Sequence, residues 1–282
     1  MLTNTADNLP AKFMDGAIPA GLLASVRERR PLVHHITNSV TINDCANITI
    51  ATGAAPVMAE APEEAAEMVA AAGALVLNIG TLSAAQVDAM LIAGRRANDL
   101  GIPVVLDPVG AGATHFRTET AWRLLDALDV AVLKGNAGEI GVLAGTGGSV
   151  RGVDSSGVAG DPVETARECV RATGTVVAMT GAVDVVADDR RVFLIRNGNP
   201  AMDRLSGTGC MAASVTAAFA AVADDYTVSS AAALAAFGRA GERAAAGARG
   251  PYSFRTGLFD ELAGLASDDL AGHARIEEPY GV

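Results

Sequence analysis

The chain has 282 residues, half of them hydrophobic, and a formal net charge of -11. That is enough apolar material for one large core, and too acidic for a nucleic-acid binder, which needs a basic face to neutralise phosphates. Its three cysteines, Cys45, Cys169 and Cys210, lie far apart without Cys-x-x-Cys or Cys/His spacing, which argues against a disulfide framework or a zinc site and fits a reducing compartment.

Residues 1–20 read as a loose leader of polar and turn-forming residues that lacks the apolar segment of a signal peptide. Residues 21–282 read as a single domain. The densest basic cluster, Arg27-Glu28-Arg29-Arg30, is expected to be a solvated helix end. From there β-branched runs alternate with alanine-rich stretches. A strand is predicted over 32–36, where the adjacent His34 and His35 fall on opposite faces and read as structural rather than as a joint metal site. Helices are predicted over 46–51 and 62–72, a strand over 75–79, a helix over 84–99, a strand over 104–106, a helix over 119–127 and a strand over 130–133. A flexible loop is expected over 145–160. A helix over 162–172, strands over 176–179, 183–186 and 192–195, and helices over 210–223 and 229–246 complete the pattern. The strands over 183–186 and 192–195, joined through Asp188-Asp189-Arg190-Arg191, read as an antiparallel hairpin. The rest predicts an α/β fold with a mainly parallel central sheet and helices on both faces. The most apolar helix, over 210–223, is too short to span a membrane and contains Ser214 and Thr216. The cytoplasm is therefore the expected compartment.

In open α/β sheets, ligands bind beyond the carboxyl ends of the strands. Four polar or glycine-rich segments fall there: Asn78-Ile79-Gly80-Thr81, Asp107-Pro108-Val109-Gly110, Lys134-Gly135-Asn136 and Thr180-Gly181. The strongest chemical signal is Arg204-Leu205-Ser206-Gly207-Thr208-Gly209-Cys210, followed by an apolar helix. Two glycines let backbone approach a ligand, and a helix start presents N–H groups to an anion such as a phosphoryl group. The same segment also reads as an ordinary turn capped by Ser206 or Thr208. Asp107 can hold Mg²⁺, which prefers hard oxygen ligands, or can make an Asx-turn before Pro108. Glu139 falls in the first turn of a helix, where the macrodipole favours a carboxylate, so a helix-start role and a metal role both stand.

These stretches together resemble the ribokinase-like superfamily and, within it, the hydroxyethylthiazole kinase family. The matching residues are His35-Ile36-Thr37-Asn38 through Asn43 and Ala46-Asn47, then Gly53-Ala54-Ala55-Pro56-Val57-Met58 and Leu77-Asn78-Ile79-Gly80-Thr81-Leu82. Asp107 to Ala113, Gly135-Asn136 with Glu139-Ile140, Thr180-Gly181 and Ser206 to Cys210 follow in order. The resemblance runs from about residue 22 to about residue 265. It implies phosphorylation of the hydroxyethyl group of 4-methyl-5-(2-hydroxyethyl)thiazole by ATP with Mg²⁺, a thiamine salvage step. It also implies a homotrimer with sites between subunits. By motif position, Met58, Asn38 and Gly207 would bind the thiazole alcohol, and Lys134, Thr180 and Gly209 the nucleotide. Asp107 and Glu139 would organise Mg²⁺, and Cys210 would stand where related kinases place a catalytic aspartate. The family usually has arginine at the position of Lys134, and lysine acts on phosphate as a point charge rather than a bidentate fork.

Cys210 is pulled two ways. A helix N-terminus lowers a thiol pKa, while a neighbouring triphosphate disfavours a thiolate. Other readings are a pyrimidine or vitamin kinase of the same superfamily, a non-catalytic thiazole-binding protein, and an ADP-dependent dehydratase of hydrated nicotinamide nucleotides. The segment from Asn38 to Met58 speaks against the first. The joint presence of Asp107, Glu139 and the glycine loop speaks against the second, and Cys210 in place of an aspartate against the third.

Overall fold

A computed structural model describes residues 12–146, 150–151, 154–155 and 160–279. The strands are β1 (Lys12–Phe13), β2 (Leu32–Ile36), β3 (Ala55–Met58), β4 (Ala74–Asn78), β5 (Val104–Asp107), β6 (Val132–Asn136), β7 (Val150–Arg151), β8 (Asp154–Ser155), β9 (Val176–Thr180), β10 (Asp184–Ala187), β11 (Val192–Ile195) and β12 (Ile276–Glu278). The helices are α1 (Ala17–Arg29), α2 (Ile42–Thr52), α3 (Pro62–Ala70), α4 (Ala84–Asp99), α5 (His115–Ala127), α6 (Ala137–Leu143), α7 (Pro162–Thr173), α8 (Thr208–Ala220), α9 (Tyr226–Gly247), α10 (Pro251–Ala263) and α11 (Ser267–His273).

Ten strands form one sheet in the order β3-β2-β4-β5-β6-β9-β10-β11-β12-β1. The six from β3 to β9 are parallel. The remainder is antiparallel, including the hairpin that pairs Ala187 with Val192. The central strands are apolar on both faces because both faces are covered. Val76, Val105 and Val132 pack on the side of α8 and α9, while the alternate residues Leu75, Leu77, Val104, Leu106 and Leu133 pack on the side of α4 and α7. Every residue of α8 from Cys210 to Ala220 is buried. Its small side chains let it lie against β4, β5 and α9, so the apolar helix is the centre of the core, and no described helix is long and apolar enough to cross a membrane.

Two expectations change, and a third lies mostly outside the described residues. Residues 12–20 are not loose: Lys12 and Phe13 pair with Glu278 and Glu277, and α1 begins at Ala17. That partner strand comes from the far end of the chain, where local pattern has no reach; residues 1–11 lie outside the described residues. The Arg27 guanidinium is not simply solvated but donates to the carbonyls of Leu262, Ala263 and Leu265, the C-terminal end of α10. Most of the loop expected over 145–160 lies outside the described residues, although Val150 and Ser155 pair within it.

Candidate active site

Because β3, β2, β4, β5, β6 and β9 are parallel neighbours, their carboxyl ends form one row along the sheet edge. Met58 ends β3, Asn38 follows β2, Asn78 ends β4, Asp107 ends β5, Lys134 lies in β6 and Thr180 ends β9. Met58 and Thr180 stand roughly 24 Å apart, at about 4.8 Å per strand. The N-terminus of α8 closes on the middle of this row. Gly207 is its N-cap at φ 93, and no side chain caps it among the described residues. A Cβ at Gly207 would lie 2.5 Å from Thr41 Cγ2, and one at Gly209 would lie 3.1 Å from Lys134 Nζ. Gly207 is required by its positive φ and its close approach, while a side chain at Gly209 would crowd the Lys134 ammonium. Thr208 does not cap the helix. Its hydroxyl turns back to the carbonyls of Met202 and Leu205, leaving the helix start to face the row with its N–H groups and positive dipole end.

At the centre is a directed set of hydrogen bonds. Asn38 Nδ2 donates to Asn78 Oδ1 at 2.9 Å and to Cys210 Sγ at 3.3 Å. Asn78 Nδ2 donates to Asp107 Oδ2 at 2.8 Å. Asp107 Oδ1 is buried without a hydrogen-bond partner among the described residues, with Lys134 Nζ 3.8 Å away. Glu139 makes the first turn of α6 into a capping box. Its Oε2 accepts from Asn136 N–H at 2.8 Å while Asn136 Oδ1 accepts from Glu139 N–H at 2.9 Å, and Oε1 takes Gly110 N–H at 2.8 Å. The helix-start reading of Glu139 is thus realised, and the same bonds tie the loops after β5 and β6 together.

Burial sets the electrostatics. It pushes the Asp107 carboxyl up to about 7 against the pull of the Lys134 ammonium, and the Glu139 charge adds to the rise. Burial alone would lower the Lys134 pKa, but the Asp107 and Glu139 carboxylates outweigh it and hold the ammonium charged. Cys210 is pushed up by burial and then by the Asp107 charge, with Lys134 opposing. Burial and the Asp107 charge thus favour the neutral thiol of Cys210.

The structure gathers Asn38, Asp107, Lys134, Glu139, Gly207, Gly209 and Cys210 in one place. Met58 stands apart on the edge strand, half-buried beside His35 in register. Thr180 stands at the other end of the row, where its hydroxyl makes a long 3.4 Å bond to the Gly135 carbonyl. His34 and His35 are core residues on opposite faces, with Nε2 against the Ala59 carbonyl and the Ser214 hydroxyl respectively. Sequence reading missed two residues. Arg117 on α5 spreads its guanidinium over the carbonyls of Ile79, Gly80 and Val109, clamping the loops after β4 and β5. Asn78 stood in a strand-end segment and in a family motif, with no role assigned to it.

A magnesium ion fits the donor set. Asp107 Oδ1 is a buried oxygen without a hydrogen bond among the described residues, and magnesium in kinase sites takes one or two carboxylates and completes its shell with water and phosphate oxygens. Glu139 already accepts a backbone N–H on each oxygen, so it suits a water-mediated contact. Among the described residues no three His, Cys, Asp or Glu side chains form a cage for a metal ion.

The family model for the hydroxyethylthiazole kinase family matches residues 23–268. The chain is 83% identical over 278 residues to a hydroxyethylthiazole kinase of Methanoculleus marisnigri, covering 99% of this chain and 100% of that protein. The solved structure of a hydroxyethylthiazole kinase protein from Pyrococcus horikoshii is similar at a TM-score of 0.85 and 44% identity, over 93% of this chain and 98% of that one. A ribokinase-like superfamily protein from Enterococcus faecalis, at 13% identity and a TM-score of 0.65, covers 93% of this chain and 99% of its own and shares the fold alone. The expected ribokinase-like α/β fold is the observed one, and the chain belongs to the hydroxyethylthiazole kinase family.

Proposed function

We propose that this protein phosphorylates the hydroxyl of 4-methyl-5-(2-hydroxyethyl)thiazole with ATP, giving the thiazole phosphate for thiamine salvage. Family membership supports the reaction. The observation that carries the site is the convergence of an unpartnered Asp107 Oδ1, the Lys134 ammonium and the uncapped start of α8. Phosphoryl transfer spreads negative charge over three equatorial oxygens, and here a cation and helix N–H groups meet in the row.

In this reading the thiazole alcohol lies between Met58, Asn38 and Gly207, and the nucleotide lies towards Thr180, with Lys134 and Gly209 at the transferred group. Lys134, held under Gly209, acts on the phosphoryl group itself rather than on the outer nucleotide. Asp107 would hold Mg²⁺ directly and Glu139 through water. When bound, the ion neutralises charge developing on the β- and γ-phosphates. Cys210 lies against the acceptor as a neutral thiol whose sulfur receives a hydrogen bond from Asn38. The hydroxyl loses its proton late in a loose transition state, so positioning and the anion site supply most of the rate, and the thiol contributes little as a base.

The site is open on the side of Met58. Val40, two residues after Asn38, is 70% exposed and Ile50 on α2 is 59% exposed, which supports a neighbouring subunit covering the thiazole pocket, as in the homotrimer that the family resemblance implies. The cytoplasm, where ATP and reduced cysteines coexist, is the compartment we assign. The test is ATP turnover with 4-methyl-5-(2-hydroxyethyl)thiazole and Mg²⁺, with product mass and sedimentation measured, beside hydroxymethylpyrimidine as a competing alcohol. Absence of thiazole phosphate, or faster phosphorylation of the pyrimidine, overturns the reading.

A further inference from the structure

Asn78 is 1% exposed and has no part in the reaction as derived so far. Its two polar atoms are not interchangeable. The Gly80 N–H can only donate, and it meets Asn78 Oδ1 at 3.0 Å, so Nδ2 must face Asp107. Asn38 is fixed in the same way, because Val40 N–H and Thr41 N–H both donate to its Oδ1. Its Nδ2 is thereby turned to Asn78 Oδ1 and Cys210 Sγ. Two backbone turns thus impose a direction on the chain from Asn38 through Asn78 to Asp107. At its end Asp107 Oδ2 accepts from Asn78, while Oδ1 makes no hydrogen bond among the described residues and faces the Lys134 ammonium at 3.8 Å. The turn is shaped around this relay: a Cβ at Gly80 would lie 2.8 Å from Asn38 Cβ and 3.0 Å from Asn78 Oδ1.

We propose that Asn78 is a positioning residue for phosphoryl transfer: by occupying Asp107 Oδ2 it holds the carboxylate in the orientation that offers Oδ1, and only Oδ1, to the divalent cation. The inference rests on the kinase reading of the site. Through Asn38 the same relay sets the place of the Cys210 sulfur, so one amide chain registers the cation ligand against the wall of the acceptor pocket.

Asn78→Asp exchanges the donor for an acceptor at constant size, and Asn78→Ser removes its reach. The readouts are Mn²⁺ affinity in the presence of ADP by electron paramagnetic resonance, kcat and KM for the thiazole alcohol, and the thermal midpoint. Loss of an outer-shell partner of this kind costs about 10–100-fold in metal affinity or activity. We expect both variants to show that loss in Mn²⁺ affinity and in kcat, with KM for the alcohol held within about threefold. A lowered thermal midpoint with wild-type Mn²⁺ affinity and kcat makes Asn78 merely structural and overturns the proposal. If Asn78→Asp does not fold, the same readouts on Asn78→Ser decide. Mn²⁺ binding does not depend on the alcohol: a wild-type protein that binds Mn²⁺ and ADP without phosphorylating the thiazole defeats the functional reading, and the Mn²⁺ shift then decides the role of Asn78 by itself.

Discussion

Two clusters of charge in this molecule use the same kinds of side chain and stand in opposite states. Where α9, α10 and α11 meet, Arg239 Nη2 donates to Asp269 Oδ1 at 2.7 Å and Arg243 Nη1 to Asp269 Oδ2 at 3.0 Å. Arg243 Nε donates to Glu261 Oε2 at 2.5 Å. Both Asp269 oxygens are matched, and the Arg239 and then Arg243 guanidinia draw its carboxyl down to about 2. At the strand ends Asp107 Oδ1 makes no hydrogen bond among the described residues and has only the Lys134 ammonium 3.8 Å away, and burial takes the carboxyl up to about 7. The first cluster is complete within the chain and fastens the C-terminal helices. The second is deeper and leaves Asp107 Oδ1 without a hydrogen bond, and in the proposed reading a ligand completes it. Unmatched buried charge is costly in a scaffold and useful where a ligand supplies the missing partner.

The sharpest way to break this contrast is at Lys134. Lys134→Met removes the cation that the proposed reading sets against the transferred group, and kcat should fall by about 10²–10³-fold, the usual effect of losing one such donor. Steady-state turnover with the nucleotide affinity measured separately checks it. A loss confined to nucleotide affinity would return Lys134 to an outer binding role.

The two aspartates should also give opposite slopes of stability against pH. The native Asp107 pKa lies above its unfolded value, so the native state holds the proton more tightly. Its contribution is fully present below about pH 4 and is lost as pH rises towards 7. Metal-free Asp107→Asn lacks this loss, and its stability relative to wild type should rise by about 2–4 kcal/mol over that window. Urea unfolding at several pH values measures it.

Cys210→Ser tests the site from its other wall. With a neutral thiol in the native protein, the variant should keep kcat within about tenfold of wild type, well short of the loss from a true general base. Complete loss of turnover with nucleotide binding intact would restore the cysteine as the base.

The smallest effect belongs to the satisfied cluster. Asp269→Asn should leave turnover unchanged and cost about 1 kcal/mol at neutral pH, since the pair is partly exposed and screened. Here the native pKa is depressed, so the contribution is present above about pH 4 and disappears as pH falls towards 2. The cost of the substitution should vanish with it in acid unfolding.

By itself the sequence determined the alternation of strand and helix, the parallel sheet, the hairpin of β10 and β11, and the family motifs from Asn38 to Cys210. Each is written in local pattern: apolar runs, turn residues and glycines at short spacing. The place of Glu139 in the first turn of a helix was also legible, because it is set by local spacing; its capping box with Asn136 came from the structure. Tertiary structure decided what those residues do to one another. Asn38, Asn78 and Asp107 form a relay only because β2, β4 and β5 are sheet neighbours, an order that no window of sequence displays. The clamp of Arg117 and the pairing of β1 with β12 are likewise contacts between distant segments. The protonation of Cys210 was undecided in sequence, because the helix dipole acts locally whereas burial and the Asp107 charge are sums over the whole folded surroundings.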